Sequence, residues 1–148
     1  MSEIDFMEQA AHPIALDRLL FTRSIVVSIP EHQPTNGVVE MTPANQIDVA
    51  QVLDTAGQYI ATMRSTFNAE KDPTAPYSID MECIGVFTVD EKLSVEEARR
   101  GVTITAHSVL YGAIREAVLW ITGRQPYGPL HLGLSVLRGE TSADTQSK

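Results

Sequence analysis

The chain has 148 residues, 43% of them hydrophobic, which supplies a real core for one domain and excludes a disordered or fibrous protein. Its 19 acidic residues against 11 basic ones give a formal net charge of -8, which opposes binding to phosphate backbones and sets nucleic acid aside as a partner. One cysteine excludes an internal disulfide, the acidic start MSEIDFMEQA is unlike a secretion signal, and no apolar run approaches the ~20 residues of a bilayer span, so the expected setting is a reducing cytoplasm with no membrane.

Residues 1–15 are largely polar and aperiodic and are expected to form a flexible arm, ahead of one domain over 16–138 and a disordered tail over 139–148. In LDRLLFTRSIVVSI, Leu19, Phe21, Ile25, Val27 and Ile29 share one parity and Arg18, Thr22, Ser24 and Ser28 the other, the period of a half-buried strand closed by Pro30. The Asn36-Gly37 pair in EHQPTNG is turn chemistry and predicts a strand return at Val38–Thr42. From Ala44 to Thr55 the pattern admits either a strand or a short helical excursion, ended by Gly57.

QYIATMRSTFNA alternates again, with Tyr59, Ala61, Met63 and Phe67 on one face. After the turn EKDPTAP, the residues Tyr77, Ile79, Met81, Cys83, Phe87 and Val89 line one face of the next strand, so the two strands read as a hairpin. Ile84 and Val86 make the opposite face apolar as well, which predicts that something packs there, a helix or another subunit. Ser94 and Glu97 have the spacing of a capping box, and SVEEARR reads as a short helix stopped by Gly101. From Val102 to Thr122, Ala106, Leu110, Ala113, Ala117 and Ile121 recur at intervals of three and four, the stripe of an amphipathic helix, with Gly123 suited to a left-handed C-terminal cap.

Chemistry-bearing constellations are sparse. Cys83 lies on the apolar parity of its strand and reads as a packed core thiol. The four histidines have neither HxH nor HExxH spacing and no cysteine pair beside them, so no metal site is expected. Neither GxGxxG nor a Walker loop occurs, and no cofactor is expected. No nucleophile, base and orienting group stand at a recognisable spacing, which makes an enzyme with catalytic residues the weakest reading. Asp80 and Glu82, two apart, point to the same side of their strand, as paired acid/base carboxylates must, but a solvated face is the favoured reading and a docking patch for a basic segment the second functional one.

The segment Leu110–Leu137 resembles the family of the protein-export chaperone SecB. The likeness lies in Leu110-Tyr111, Arg115-Glu116 and Gly123-Arg124 of the long helix, in Pro129-Leu130-His131-Leu132 after it, and upstream in the strand carrying Gly85 and Phe87. The resemblance implies an α+β fold, a four-stranded antiparallel sheet with one long helix packed on it, assembled as a homotetramer (a dimer of dimers). It implies an ATP-independent cytoplasmic holdase for unfolded preproteins in export and translocation, with Phe67, Phe87, Tyr127, Pro129, Leu130 and Leu132 facing the client. Asp80 and Glu82 would then dock the SecA motor. The chain departs from the family in having no second C-terminal helix after the P-x-L-x-L loop and no tryptophan in its first crossover. That shortened end admits a chaperone dedicated to one aggregation-prone partner, such as an antitoxin, and a structural or adaptor subunit stands as the alternative from another class.

Overall fold

A computed structural model describes residues 12–33 and 42–137. The expected arm up to residue 11, the strand return at Val38–Thr42 apart from Thr42, and the tail over 139–148 lie outside those residues, while Ile14 and Ala15, expected in the arm, already belong to the first strand. The described elements are β1 (Ile14–Ser28), β2 (Ala44–Gln51), β3 (Gln58–Phe67), β4 (Tyr77–Val89) and α1 (Val95–Thr122). The open choice over Ala44–Thr55 resolves as a strand.

The strands form one antiparallel sheet in the order β1-β4-β3-β2. β2, β3 and β4 follow as a meander, and β1 pairs with the far side of β4 along almost its whole length, leaving β1 and β2 as the two edges. Helix α1 touches all four strands from one side. This is the expected α+β arrangement, and the segment after α1 holds no further helix among the described residues.

The hairpin of β3 and β4 follows its alternation closely: Tyr59, Ala61, Met63, Tyr77, Ile79, Met81, Cys83, Phe87 and Val89 are all buried beneath α1. Strand β1 departs from its predicted parity. Register shifts between Leu16 and Arg18 and between Phe21 and Arg23 insert extra residues, and each one reverses which side chains face the helix. Leu19 and Val26 consequently pack against the core, while Ile25 and Val27, expected inside, stand exposed on the far face of the sheet.

Two expectations for the helix are corrected. Ser94 and Glu97 do form the capping box, with Ser94 Oγ accepting from the Glu97 amide at 3.1 Å and the Glu97 carboxylate accepting from the Ser94 amide at 3.0 Å. The helix they start does not stop at Gly101, however, but runs unbroken for 28 residues. Gly101 serves close approach: a Cβ there would lie 2.8 Å from Cδ1 of Ile14, so the absent side chain makes room for β1. At the other end Gly123 is right-handed, with φ of -59°, rather than left-handed. The chain turns back instead through Thr122, whose buried hydroxyl donates to the Val118 carbonyl at 2.6 Å and accepts from the Leu130 amide at 2.8 Å.

Candidate functional site

Beneath the helix the core is closed. Ala106, Leu110, Ile114 and Val118 stand one turn apart on the buried side of α1 and press on Met63, Met81, Cys83 and Phe87. Burial pushes the Cys83 thiol up to about 11, with the nearby Glu82 charge adding to it, so this cysteine stays protonated and packed as expected.

The surface opens beside β1. Because β1 is an edge, the flank of α1 above it has no neighbouring strand to meet. Phe21, Ala113, Glu116, Ala117, Trp120 and Ile121 line a shallow trough of about 450 Å³ there. Trp120 is 69% exposed and carries the Arg124 guanidinium 5.2 Å over its ring, while Phe21 is 39% exposed. The two alanines set the helix wall back, and the aromatic rings stand at either side. Reading the sequence missed this trough: helical spacing names Ala113 and Ala117 as stripe residues but cannot say that the stripe overhangs a sheet edge.

The far face of the sheet is also uncovered among the described residues. Leu20 pairs with Ile84, and Ile60 with Val86, across three adjacent strands, and Ile25 and Val27 extend the patch along β1. Of the two covers expected for Ile84 and Val86, the helix occupies only the other side of the sheet, and no described segment packs on them. At one end of this face Asp80 accepts from Arg64 Nε and Nη2 at 2.9 and 2.8 Å, with Arg23 at 3.4 Å, and Thr22 donates to Glu82 at 2.7 Å. The hydrogen bonds from Arg64 hold the Asp80 carboxyl below its ordinary range. Asp80 and Glu82 do face the same way, but both guanidiniums contact Asp80, and Glu82 has the Thr22 hydroxyl.

The six residues named for client contact separate. Phe87 and Leu132 are fully enclosed and Leu130 nearly so, and all three belong to the chain's own core. Phe67 is half-buried at the sheet end. Tyr127 donates to the Ile29 carbonyl at 2.6 Å and meets the rings of His32 and Tyr77 edge-on, which makes it a tie between the helix end and the loop after β1. Pro129 is exposed at the turn, after Gly128 with its φ of 81°. The structure does not gather these six into one surface.

A polar cluster sits on the opposite flank of α1. Ser65 donates to Asn45 Oδ1 at 2.6 Å, Asn45 Nδ2 donates to Ser135 Oγ at 3.0 Å, and His107 Nε2 lies 3.3 Å from the same hydroxyl. Burial alone lowers the His107 pKa, which keeps the imidazole neutral. No carboxylate among the described contacts orients that ring, and the cluster clamps the C-terminal segment in place. The described residues hold no group of three or more His, Cys, Asp or Glu able to hold a metal ion, and no described helix is long and apolar enough to cross a membrane.

No protein-family model matches the sequence, and no curated protein does. Several solved structures share the architecture. The Mycobacterium tuberculosis SecB-like chaperone Rv1957, solved in complex with a ChAD peptide from the HigA1 antitoxin Rv1956, matches with a TM-score of 0.59 at 19% identity over 84% of this chain and 91% of that one. A Streptococcus agalactiae protein, described as of unknown function, matches with a TM-score of 0.51 at 12% identity over 86% of this chain and 100% of its own. Sheet order, antiparallel pairing and the single long helix thus agree with the resemblance carried by Leu110–Leu137, and the chain has the SecB-like fold.

Proposed function

We propose that this protein is an ATP-independent chaperone that holds extended apolar segments of non-native polypeptides, working by binding and not by chemistry. The observation that carries the reading is apolar surface left open around one long edge strand. Leu16, Leu20, Phe21, Ile25 and Val27 of β1 are all 38–44% exposed, on both faces of the sheet, and Trp120 stands over Phe21 from the helix on one of them. Contiguous surface of this kind marks an interaction site in a soluble protein. The free β1 edge offers unpaired amides and carbonyls to an added strand, the place for a second copy of the chain, while the apolar side chains beside it remain for the client.

Phe21, Ala117 and Trp120 are the side chains that would grip a client, in place of the enclosed Phe87, Leu130 and Leu132. Exposed Pro129 and half-buried Phe67 lie at the periphery. The same β1 edge would join copies of the chain into a homodimer and, by pairing dimers, a homotetramer, which lets one long client occupy several shallow sites at once. Cytoplasmic location belongs to this reading as well.

Dedication to one partner is favoured over general export. Docking to a motor such as SecA through Asp80 and Glu82 needs free negative charge, and Arg23 and Arg64 already pair with Asp80, leaving Glu82 alone of the two without a cation among the described residues. The SecB-like neighbour's complex with an antitoxin peptide supports a single aggregation-prone partner of that kind. The test is suppression of light scattering by a chemically denatured model protein as it is diluted from denaturant. Suppression without ATP at near-stoichiometric amounts is expected, and no suppression of any client together with tight binding of one folded protein would make the chain an adaptor.

A further inference from the structure

After the turn at Gly128 the chain runs back along α1 on the flank away from β1, and its contacts show how it is held. Leu130 donates from its amide to Thr122, Arg115 Nε donates to the Leu132 carbonyl at 2.9 Å, the Tyr111 hydroxyl donates to the Gly133 carbonyl, and Ser135 meets His107 and Asn45. From Arg115 back to His107 the helix covers ~12 Å at 1.5 Å per residue. Between residues 132 and 135 the strap reaches at most ~10–11 Å at ~3.3–3.6 Å per residue, so it runs close to fully extended and the long Arg115 side chain spans the remainder.

The flank of the helix thus treats this segment as a bound peptide. Main-chain groups take three of the bonds, which demands no particular sequence, while Leu130 and Leu132 fill apolar space. Beyond Gly133 the grip weakens: Leu134 and Val136 are each 80% exposed, and among side chains only Ser135 is hydrogen-bonded to the slot. A strap held firmly at one end and by one hydroxyl at the other opens from its loose end.

We propose that the slot bounded by Tyr111, Arg115, His107 and Asn45 is a second client site, filled in cis by residues 130–137 and taken in trans by an extended partner segment that carries leucines two residues apart. The proposal rests on the chaperone reading and adds to it a built-in competitor. At rest the strap shields the slot; a client with a better-fitting leucine pair displaces it from the Val136 end. The competitor is tethered, so only clients that also engage the trough reach the effective concentration needed to win.

The test uses the full chain carrying Asn45→Cys and Ser135→Cys, with the two thiols joined by a short bis-alkylating linker; Cys83, buried and protonated, stays out of the reaction. Binding of permanently unfolded, carboxymethylated α-lactalbumin is compared between linked and unlinked protein of matched thermal stability. Linking is expected to weaken binding by about tenfold or more, the equivalent of ~1.4 kcal/mol. In the otherwise wild-type chain Ser135→Ala, which loosens the strap alone, should tighten it by about twofold to tenfold. Equal binding by linked and unlinked chains overturns the slot and leaves the chaperone reading standing. Absence of binding by every form, wild type included, overturns both.

Discussion

Gly85 and Gly112 are about equally ordinary in the sequence, and the structure assigns the same substitution opposite signs at the two. A Cβ at Gly85 would stand 2.7 Å from Cε1 of Phe87 and 3.1 Å from Cδ2 of Leu110. Both neighbours are fully buried, one on the same strand and one on the helix above, so neither can swing aside. Overpacking of this kind costs ~1–3 kcal/mol, against a gain of roughly 0.5–1 kcal/mol for replacing glycine in a strand. Gly85→Ala should therefore lose about 1–2 kcal/mol, a fall in Tm of about 2–8 °C for a chain of this size. Gly112 lies exposed on α1, and a Cβ there would meet nothing within 4 Å, so Gly112→Ala keeps the full helix-propensity gain of about 1 kcal/mol and should raise Tm by about 2–4 °C. Differential scanning calorimetry reads both, and Phe87→Leu in the Gly85→Ala background should recover part of the loss because the two changes share one contact. If Gly85→Ala is neutral or stabilising, the helix does not press on β4 as described. If Gly112→Ala destabilises, its flank of α1 is covered by another copy.

Three other outcomes follow from the site. Ala117→Glu puts a carboxylate into the trough at a half-buried helix position that glutamate suits; aggregation suppression should fall at least several-fold while Tm moves by less than about 3 °C, and unchanged suppression would remove the trough from the function. His107 is held neutral by burial, so its folded pKa lies below the ordinary 6.5 and the unfolded chain binds the extra proton; stability contributed by this group is present above pH ~6.5 and is lost as pH falls below it. Urea midpoints between pH 7.5 and 5 should drop less in His107→Gln than in wild type, and parallel curves would show that the imidazole is not buried. Cys83 should resist a thiol reagent at pH 8 in the native chain and react at once in urea, because its thiol is both enclosed and raised to about 11; fast native labelling contradicts the packing of β4 under α1.

The parts of the fold that could be read from the residues are those where one rule acts alone. β3 and β4 alternate without interruption, so parity identified their buried faces, and Ser94 and Glu97 announced the helix start by their spacing. β1 defeated the same rule because two bulges reverse its parity, and a bulge leaves no mark in a run such as LDRLLFTRSIVVSI. Gly101 looked like a stop signal, whereas its lack of a side chain answers a residue far earlier in the chain, Ile14. The client residues named from the P-x-L-x-L loop failed to gather for a related reason: apolar character marks what must be buried but not by whom. Leu130 and Leu132 are buried by their own helix, and Phe21 and Trp120, as apolar as they are, are not.

That difference follows from the order of the strands. In β1-β4-β3-β2 the two central strands are the most buried, and α1 spends its buried side on them. The helix is one cylinder ~10 Å wide over a four-stranded sheet in which strands lie ~4.8 Å apart, so it covers about two strands and leaves a flank open on each side. On the β2 flank the chain's own C-terminal segment fills the gap, supplied with leucines and with polar partners for its backbone. On the β1 flank no described segment does so, and the aromatic residues Phe21 and Trp120 remain facing water. One helix and one strap cannot cover a sheet of this width. The open flank is therefore a consequence of the fold, and whatever covers it must come from outside the described residues.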